Sequence, residues 1–200
     1  MVFIFEGIDC VGKSTQINRL QRTLERDGGC VFVIHCEAVK SFDKDEAKID
    51  YKEKIKWVSE NRYAGMLKLA EQYAADPSIH IIFDRAHLGE YVYSPIYRGY
   101  DGSFVFLFEK MLSKKALNRI FQFVFVDEPE RVIARDKERG DGQSFSLDIE
   151  KKRAEIQKFI EAYNLSSIKN SYFYNIKDYD AQTVGDMIET VIYRERKLDD

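Results

Sequence analysis

The sequence predicts a three-layer α/β domain, a five-stranded parallel sheet with helices on both faces. Three observations carry this: five short apolar runs rich in β-branched and aromatic residues, longer stretches of helical spacing between them, and a glycine-rich turn directly after the first run. The runs Val2–Glu6, Val31–His35, Ile79–Asp84, Arg119–Val126 and Tyr172–Ile176 are too short for helices and read as buried strands. Helical spacing covers Lys13–Asp27 after the first strand and Tyr51–Ala75 after the second, the latter long enough for one helix or two in succession. Phe104–Leu117, Glu130–Glu138, Leu147–Tyr163 and Ala181–Arg196 continue the pattern. Strands alternating with helices pair in parallel through right-handed crossovers. Two polar stretches, Cys36–Asp50 and Arg139–Ser146, interrupt the alternation and read as movable elements over a site.

With 200 residues, 44% hydrophobic and 14% aromatic, the chain can bury one core, and no linker or repeat divides it, so residues 1–200 read as one domain. Lys and Arg number 31 against 34 Asp and Glu, a net charge of −3 that argues against an extended nucleic-acid surface. No apolar run approaches the roughly 20 residues of a membrane span, and the opening Met1-Val2-Phe3-Ile4-Phe5 has no basic start. A soluble, cytoplasmic protein without a membrane partner is expected. Cys10, Cys30 and Cys36 form neither a disulfide framework nor a zinc pattern and read as reduced thiols. His35 and His80, at the edges of apolar runs, read as structural.

Gly7-Ile8-Asp9-Cys10-Val11-Gly12-Lys13-Ser14 matches G-x-x-x-x-G-K-[ST] and lies between a strand and a helix, where a phosphate-binding loop must lie. Gly7 and Gly12 let backbone N–H groups curl around phosphates, and the helix N-terminus adds positive potential. Lys13 reaches the β- and γ-phosphates, while the Ser14 hydroxyl ligates Mg²⁺. Cys10, Val11 and Thr15 complete the donor-phosphate cradle. ATP and Mg²⁺ are thus the expected cosubstrate and metal.

The string Phe5-Glu6-Gly7-Ile8-Asp9-Cys10-Val11-Gly12-Lys13-Ser14-Thr15 resembles the phosphate loop of thymidylate kinases, which share its Phe-Glu-Gly-Ile-Asp start. The resemblance implies a P-loop kinase fold with strand order 2-3-1-4-5 and gives Asp9 a role near the acceptor's sugar. Asp84-Arg85, at the end of the third strand, is similar to the acid-Arg pair of thymidylate and deoxynucleoside kinases. It implies that Asp84 holds the Mg²⁺ shell and that Arg85 bridges donor and acceptor, a task that suits a guanidinium fork. Arg62 stands near the family's base-pocket arginine, and Trp57 offers either a stacking face or a core side chain.

From Arg85 to Gly99 the sequence runs Arg-Ala-His-Leu-Gly-Glu-Tyr-Val-Tyr-Ser-Pro-Ile-Tyr-Arg-Gly, a pattern similar to that of phage-encoded kinases of the thymidylate-kinase type. Tyr93 matches the family's tyrosine near the sugar, whereas Ser94 replaces its thymine-reading Gln. Glu90, five residues after Arg85, resembles the base-reading acid of deoxynucleoside kinases. Tyr163 matches a family tyrosine near the acceptor, although Ile160 replaces the arginine before it.

Arg131, Arg135 and Arg139 recur at i, i+4 and i+8 and share one helix face, with Asp136 and Glu138 pointing elsewhere. Three such guanidiniums without an anion are costly, and ATP phosphates are the expected partner. The resemblance implies a lid over about 135–148, hinged at Gly140-Asp141-Gly142, that closes over ATP.

The expected function is transfer of the ATP γ-phosphoryl group to a deoxynucleoside monophosphate, most simply a dTMP-like acceptor. Such an acceptor is already an oxyanion, so positioning and charge neutralisation suffice. The alternative is a deoxynucleoside kinase, or a kinase of a modified base or nucleic-acid hydroxyl, with Glu37 as general base. A homodimer is left open.

Overall fold

The computed structural model describes residues 1–36, 50–74, 76, 78–140 and 144–196. Strands β1 (Val2–Gly7), β2 (Cys30–His35), β3 (Ile79–Asp84), β4 (Ile120–Val126) and β5 (Asn170–Asn175) form one parallel sheet in the order β2-β3-β1-β4-β5. Every residue of β1 and β4 is buried, which explains why both read as apolar runs rather than alternating ones. Aromatic rings bind the central strands laterally: Phe3 stacks on Phe121, Phe5 on Phe125, and Phe125 on Tyr174, with centroids 5.4–5.9 Å apart.

The helices are α1 (Lys13–Arg26), α2 (Asp50–Ala74), α3 (His87–Tyr93), α4 (Val105–Lys110), α5 (Lys114–Leu117), α6 (Pro129–Arg139), α7 (Ile149–Leu165) and α8 (Ala181–Arg196). Helix α1 turns Ile17, Leu20 and Leu24 inward, at helical spacing, and packs against the sheet and α8. Helix α2 is one continuous element. The stretch Phe104–Leu117 departs from the expected single helix. It splits into α4 and α5 because Ser113 caps α5, its side chain accepting from the Ala116 N–H.

Helix α3 and the π turn Ser94–Arg98 that continues it have no forerunner in the sequence reading. Ala86, the residue before α3, supplies no side-chain cap. Glu6 of β1 takes that role from across the sheet, Oε1 accepting from the N–H groups of Leu88 at 2.8 Å and Gly89 at 3.4 Å. The strand that leads into the phosphate loop thereby fixes α3 at the same sheet edge.

Gly7 pairs with Phe125 in register and carries φ +129°, and a Cβ there would lie 2.0 Å from the Phe125 carbonyl oxygen. Gly12 has φ +81° in open space. Gly7→Ala is therefore expected to cost roughly 2–6 kcal/mol through strain and overpacking together, against about 1–2 kcal/mol for Gly12→Ala. Thermal unfolding of both variants checks this, and equal melting temperatures would contradict it.

Candidate active site

The carboxyl ends of the strands meet along one edge: Phe5 and His35 lie opposite Asp84, and Gly7 opposite Phe125. Ligands of open α/β sheets bind at this edge. The phosphate loop runs from Gly7 to the start of α1, and two of its residues, Cys10 (φ +59°) and Gly12, take left-handed conformations. Lys13 is buried, with Nζ donating to the carbonyls of Gly7 at 3.0 Å and Ile8 at 2.5 Å. Burial, with Arg85 nearby, pushes its ammonium down to about 8 despite the carboxylates of Asp9, Asp84 and Glu6. Ser14 and Thr15 are exposed at the start of α1.

Asp9 is buried and paired with Arg85, Nη2 to Oδ1 at 2.5 Å. Burial pushes the Asp9 carboxyl up, but Arg85, Lys13 and Lys152 together outweigh it and hold the group below its ordinary range. Arg85 has φ +68°, which side-chain-bearing residues rarely adopt, and its N–H donates to the Phe5 carbonyl at 2.9 Å. That strained backbone aims the guanidinium across the phosphate loop rather than along β3.

Asp84 Oδ2 meets His35 Nδ1 at 2.8 Å. His35, expected to be structural, thus stands at the site edge, half-exposed beside the Asp84 carboxylate. An exposed hydroxyl on Ser14 and the carboxylate of Asp84 form a hard-oxygen donor set suited to Mg²⁺, which keeps most of its shell as water and phosphate oxygen.

Behind the loop lies a cavity of about 380 Å³ whose walls include Cys10, Gln16, Arg131, Arg135 and Tyr179. Gln16 Nε2 donates to the Ala181 carbonyl at 2.8 Å, and its buried Oε1 has no partner. An unpartnered acceptor in a cavity beside a phosphate loop fits the exocyclic amine of adenine. The sequence reading did not assign Gln16.

The arginine stripe differs from the sequence expectation. Arg131 and Arg135 both meet the buried carboxylate of Asp127, at 3.5 and 2.8 Å, and Arg139 meets Asp136 at 2.9 Å. Arg135 Nη1 also donates to the Cys10 carbonyl at 3.1 Å, and the Cys10 thiol reaches Asp136 at 3.6 Å. The three guanidiniums of the stripe share the two carboxylates of Asp127 and Asp136, and Arg135 docks it on the phosphate loop. Asp136, expected to point elsewhere, turns toward the phosphate loop, where its Oδ1 meets both the Cys10 thiol and Arg139. Helix α6 ends at Gly140, with φ +68°. Asp141 and Gly142 of the expected hinge lie outside the described residues, as does Glu37. Beyond them Phe145 stacks on Tyr93 and Tyr97, with centroids 5.1 and 5.0 Å apart.

On the α3 side of the phosphate loop a narrow pocket is walled by Glu6, Cys36, Tyr63, Arg85, Tyr93 and Arg98. Burial, with Glu90 and Glu6 nearby, raises the Tyr63 hydroxyl, so it remains a donor. Burial likewise pushes Glu6 up, against the pull of His87 and of backbone N–H groups.

Three expected acceptor residues lie elsewhere. Trp57 is 65% exposed on α2, in neither core nor pocket. Tyr163 packs on Phe173 and donates to the Ser171 carbonyl at 3.4 Å, which places it against β5 and away from the pocket. Glu90 is fully buried with both oxygens bonded inside the protein, to Arg98 and Tyr100. Arg62 is exposed on α2 beside Cys36, whose thiol it pulls down against burial.

Helix α7 contributes what the sequence reading missed. Lys152 and Glu155 are both fully buried and paired at 3.0 Å, and Glu155 also accepts from the Tyr97 hydroxyl.

No protein-family model matches the chain, and no curated protein is similar to it in sequence. Among solved structures, the YorR protein of Bacillus subtilis in complex with phosphorylated GDP matches with a TM-score of 0.61 at 16% identity, covering 98% of each chain. Deoxyadenosine kinase from M. mycoides, with products dCMP and a flexible dCDP bound, matches with a TM-score of 0.58 at 18% identity over 97% of this chain and all of that one. The same kinase with bound dATP gives 0.56 at 17% identity, over 96% of this chain and all of that one. The chain has the fold of a P-loop nucleotide kinase. At such identities the likeness extends to the fold alone. Among the described residues no helix is long and apolar enough to cross a membrane.

Proposed function

We propose that this chain is an ATP-dependent phosphotransferase of the thymidylate-kinase-like type that phosphorylates a deoxynucleoside monophosphate. The observation that carries the reading is the cluster of Lys13, Arg85 and Lys152 around buried Asp9, at the sheet edge where the phosphate loop opens. Lys152 is taken up by Glu155, so Lys13 and Arg85 are the two cations that can turn from protein partners to phosphate oxygens, which suits an acceptor that is itself anionic.

On this reading the cavity behind the loop takes the adenosine of ATP, with Gln16 Oε1 accepting from its amine. Lys13 Nζ exchanges the Gly7 and Ile8 carbonyls for β- and γ-phosphate oxygens, which are better partners for a charged ammonium. Arg85, held by Asp9, spans the gap between donor and acceptor phosphates. Ser14 and Asp84 would hold Mg²⁺, which would supply neutralisation of the charge on the phosphoryl groups. The acceptor phosphate attacks as an oxyanion, so no side chain need take its proton.

A second reading, transfer to a deoxynucleoside hydroxyl, is favoured by the likeness to deoxyadenosine kinase and requires a base such as Glu37. Steady-state transfer from ATP to the four deoxynucleoside monophosphates and the four deoxynucleosides separates the two. dTMP, the acceptor of the thymidylate kinases that the phosphate loop resembles, enters that assay as the comparison acceptor. Faster transfer to nucleosides than to any monophosphate would overturn the first reading.

Arg135→Ala tests the donor side. It removes a guanidinium that joins Asp127 to the loop carbonyl of Cys10, and should lower kcat by about 10²-fold with acceptor KM little changed. A raised acceptor KM at normal kcat would remove Arg135 from the donor side.

A further inference from the structure

Glu90, Tyr100 and Arg98 form a buried triad behind the acceptor pocket. Glu90 Oε2 accepts from Arg98 Nη1 at 2.5 Å, and Oε1 accepts from the Tyr100 hydroxyl, which also meets Ser59 Oγ at 3.2 Å. The carboxylate is spent on fixing the guanidinium. Arg98 has a side chain only 2% exposed and lines the pocket, yet its buried Nε has no hydrogen-bond partner. Tyr93, on the same wall, buries a hydroxyl that is also unpartnered. A buried donor without a partner is costly, and although the pocket beside it has room for only about one water, about 10 Å³, a ligand that widens it can satisfy the donor.

Glu90 occupies Nη1, so the side-on fork of Nε and Nη2 is a different edge of the guanidinium. That fork donates two parallel hydrogen bonds and accepts none. We propose that Arg98 reads the acceptor base and selects one with two adjacent hydrogen-bond acceptors on an edge, as guanine has in O6 and N7 and cytosine in O2 and N3. Thymine interrupts its acceptors with N3–H, and adenine sets its exocyclic amine beside N1 and N7, so neither matches the fork. Glu90 is then a positioning residue, and the pocket asks its ligand for acceptors where a bare carboxylate would ask for donors. The inference rests on this pocket's being the acceptor site of the proposed kinase.

The test measures kcat/KM for the monophosphates and nucleosides of cytosine, guanine, thymine and adenine, together with the Kd of each, for wild type and Arg98→Lys. Lysine keeps a cation beside Glu90 but lacks the fork. Wild type should favour a cytosine or guanine acceptor over both others, and Arg98→Lys should lower kcat/KM on the favoured acceptor by about 10–100-fold, mainly through KM, with the others changed less than about 3-fold. Should Arg98→Lys fail to fold, Tyr100→Phe loosens Glu90 without altering the pocket wall and should shift the ranking in the same direction. A wild type that prefers thymine or adenine, or an equal proportional loss on every acceptor, overturns the inference. If no acceptor is phosphorylated, the kinase reading fails by itself: Arg98-dependent binding that favours cytosine or guanine then upholds the inference, and binding without that ranking overturns it.

Discussion

Lys13→Met is expected to lower kcat by about 10³-fold or more while the fold is kept. Lys13 is the ammonium nearest the transferred charge on the proposed reading, and its Nζ already sits among loop carbonyls where phosphate oxygens would replace them. The same burial makes it an unusual stability element. Its ammonium is pushed down to about 8 in the folded protein, chiefly by desolvation, from an ordinary 10.5. Between those values the unfolded chain binds the proton and the folded chain does not, so wild-type stability should rise with pH across that window. Below it the native state bears the cost of a buried charge, about 3 kcal/mol. In the Met variant that rise should vanish. Urea unfolding from pH 7 to 10.5 checks this, and parallel curves for the two proteins would refute the burial argument. In the free enzyme kcat/KM for ATP should fall above pH 8, whereas kcat should hold to higher pH because bound polyphosphate restores the lysine's preference for its proton.

What was legible in the sequence divides along contact distance. The phosphate loop is contiguous, and its glycines, lysine and serine act through backbone conformations and a helix terminus that eight adjacent residues determine, so sequence alone places it. The five strands are legible for a related reason: burial on both faces leaves β1 and β4 as apolar runs, broken only by Glu6 and Gln122, that are too short for helices. Helix α3 is illegible because its cap, Glu6, lies 82 residues before Leu88 and Pro95 closes the segment like a turn. The arginine stripe shows a signal that was present and passed over. Asp127 precedes Arg131 by four residues, the spacing of a helical ion pair, and the structure uses it for both Arg131 and Arg135. The acceptor pocket draws on β1, the end of β2, α2, the end of β3 and α3, and no local pattern joins those segments. The spacing of Glu90 from Arg85 points to a base-reading acid. Only its coordinates show the carboxylate turned to Arg98, which reverses the chemistry expected of the ligand.

Arg85→Gly should abolish transfer at a smaller cost in stability than a buried ion pair usually carries. Two effects oppose each other. Removing the guanidinium leaves Asp9 buried and short of its main partner, and breaking a buried pair in this way costs about 3–5 kcal/mol. Glycine adopts φ +68° without penalty, which returns roughly 1–3 kcal/mol of backbone strain. The net loss is therefore about 2 kcal/mol, several degrees in melting temperature for a chain of this length. Asp9 supplies the pH signature. Its carboxyl is held low in the folded protein, so it stabilises the fold above its ordinary range and loses that contribution as the pH falls through the folded value. Without Arg85 that contribution shrinks, and the variant should lose less stability on acidification than wild type. Arg85→Gly/Asp9→Asn should recover most of the neutral-pH stability, because it removes the stranded charge, and none of the activity. Recovered transfer in the double variant would mean that Arg85 serves only to neutralise Asp9. Transfer that stays about 10³-fold down, on a protein as stable as wild type, would place the guanidinium on the phosphates.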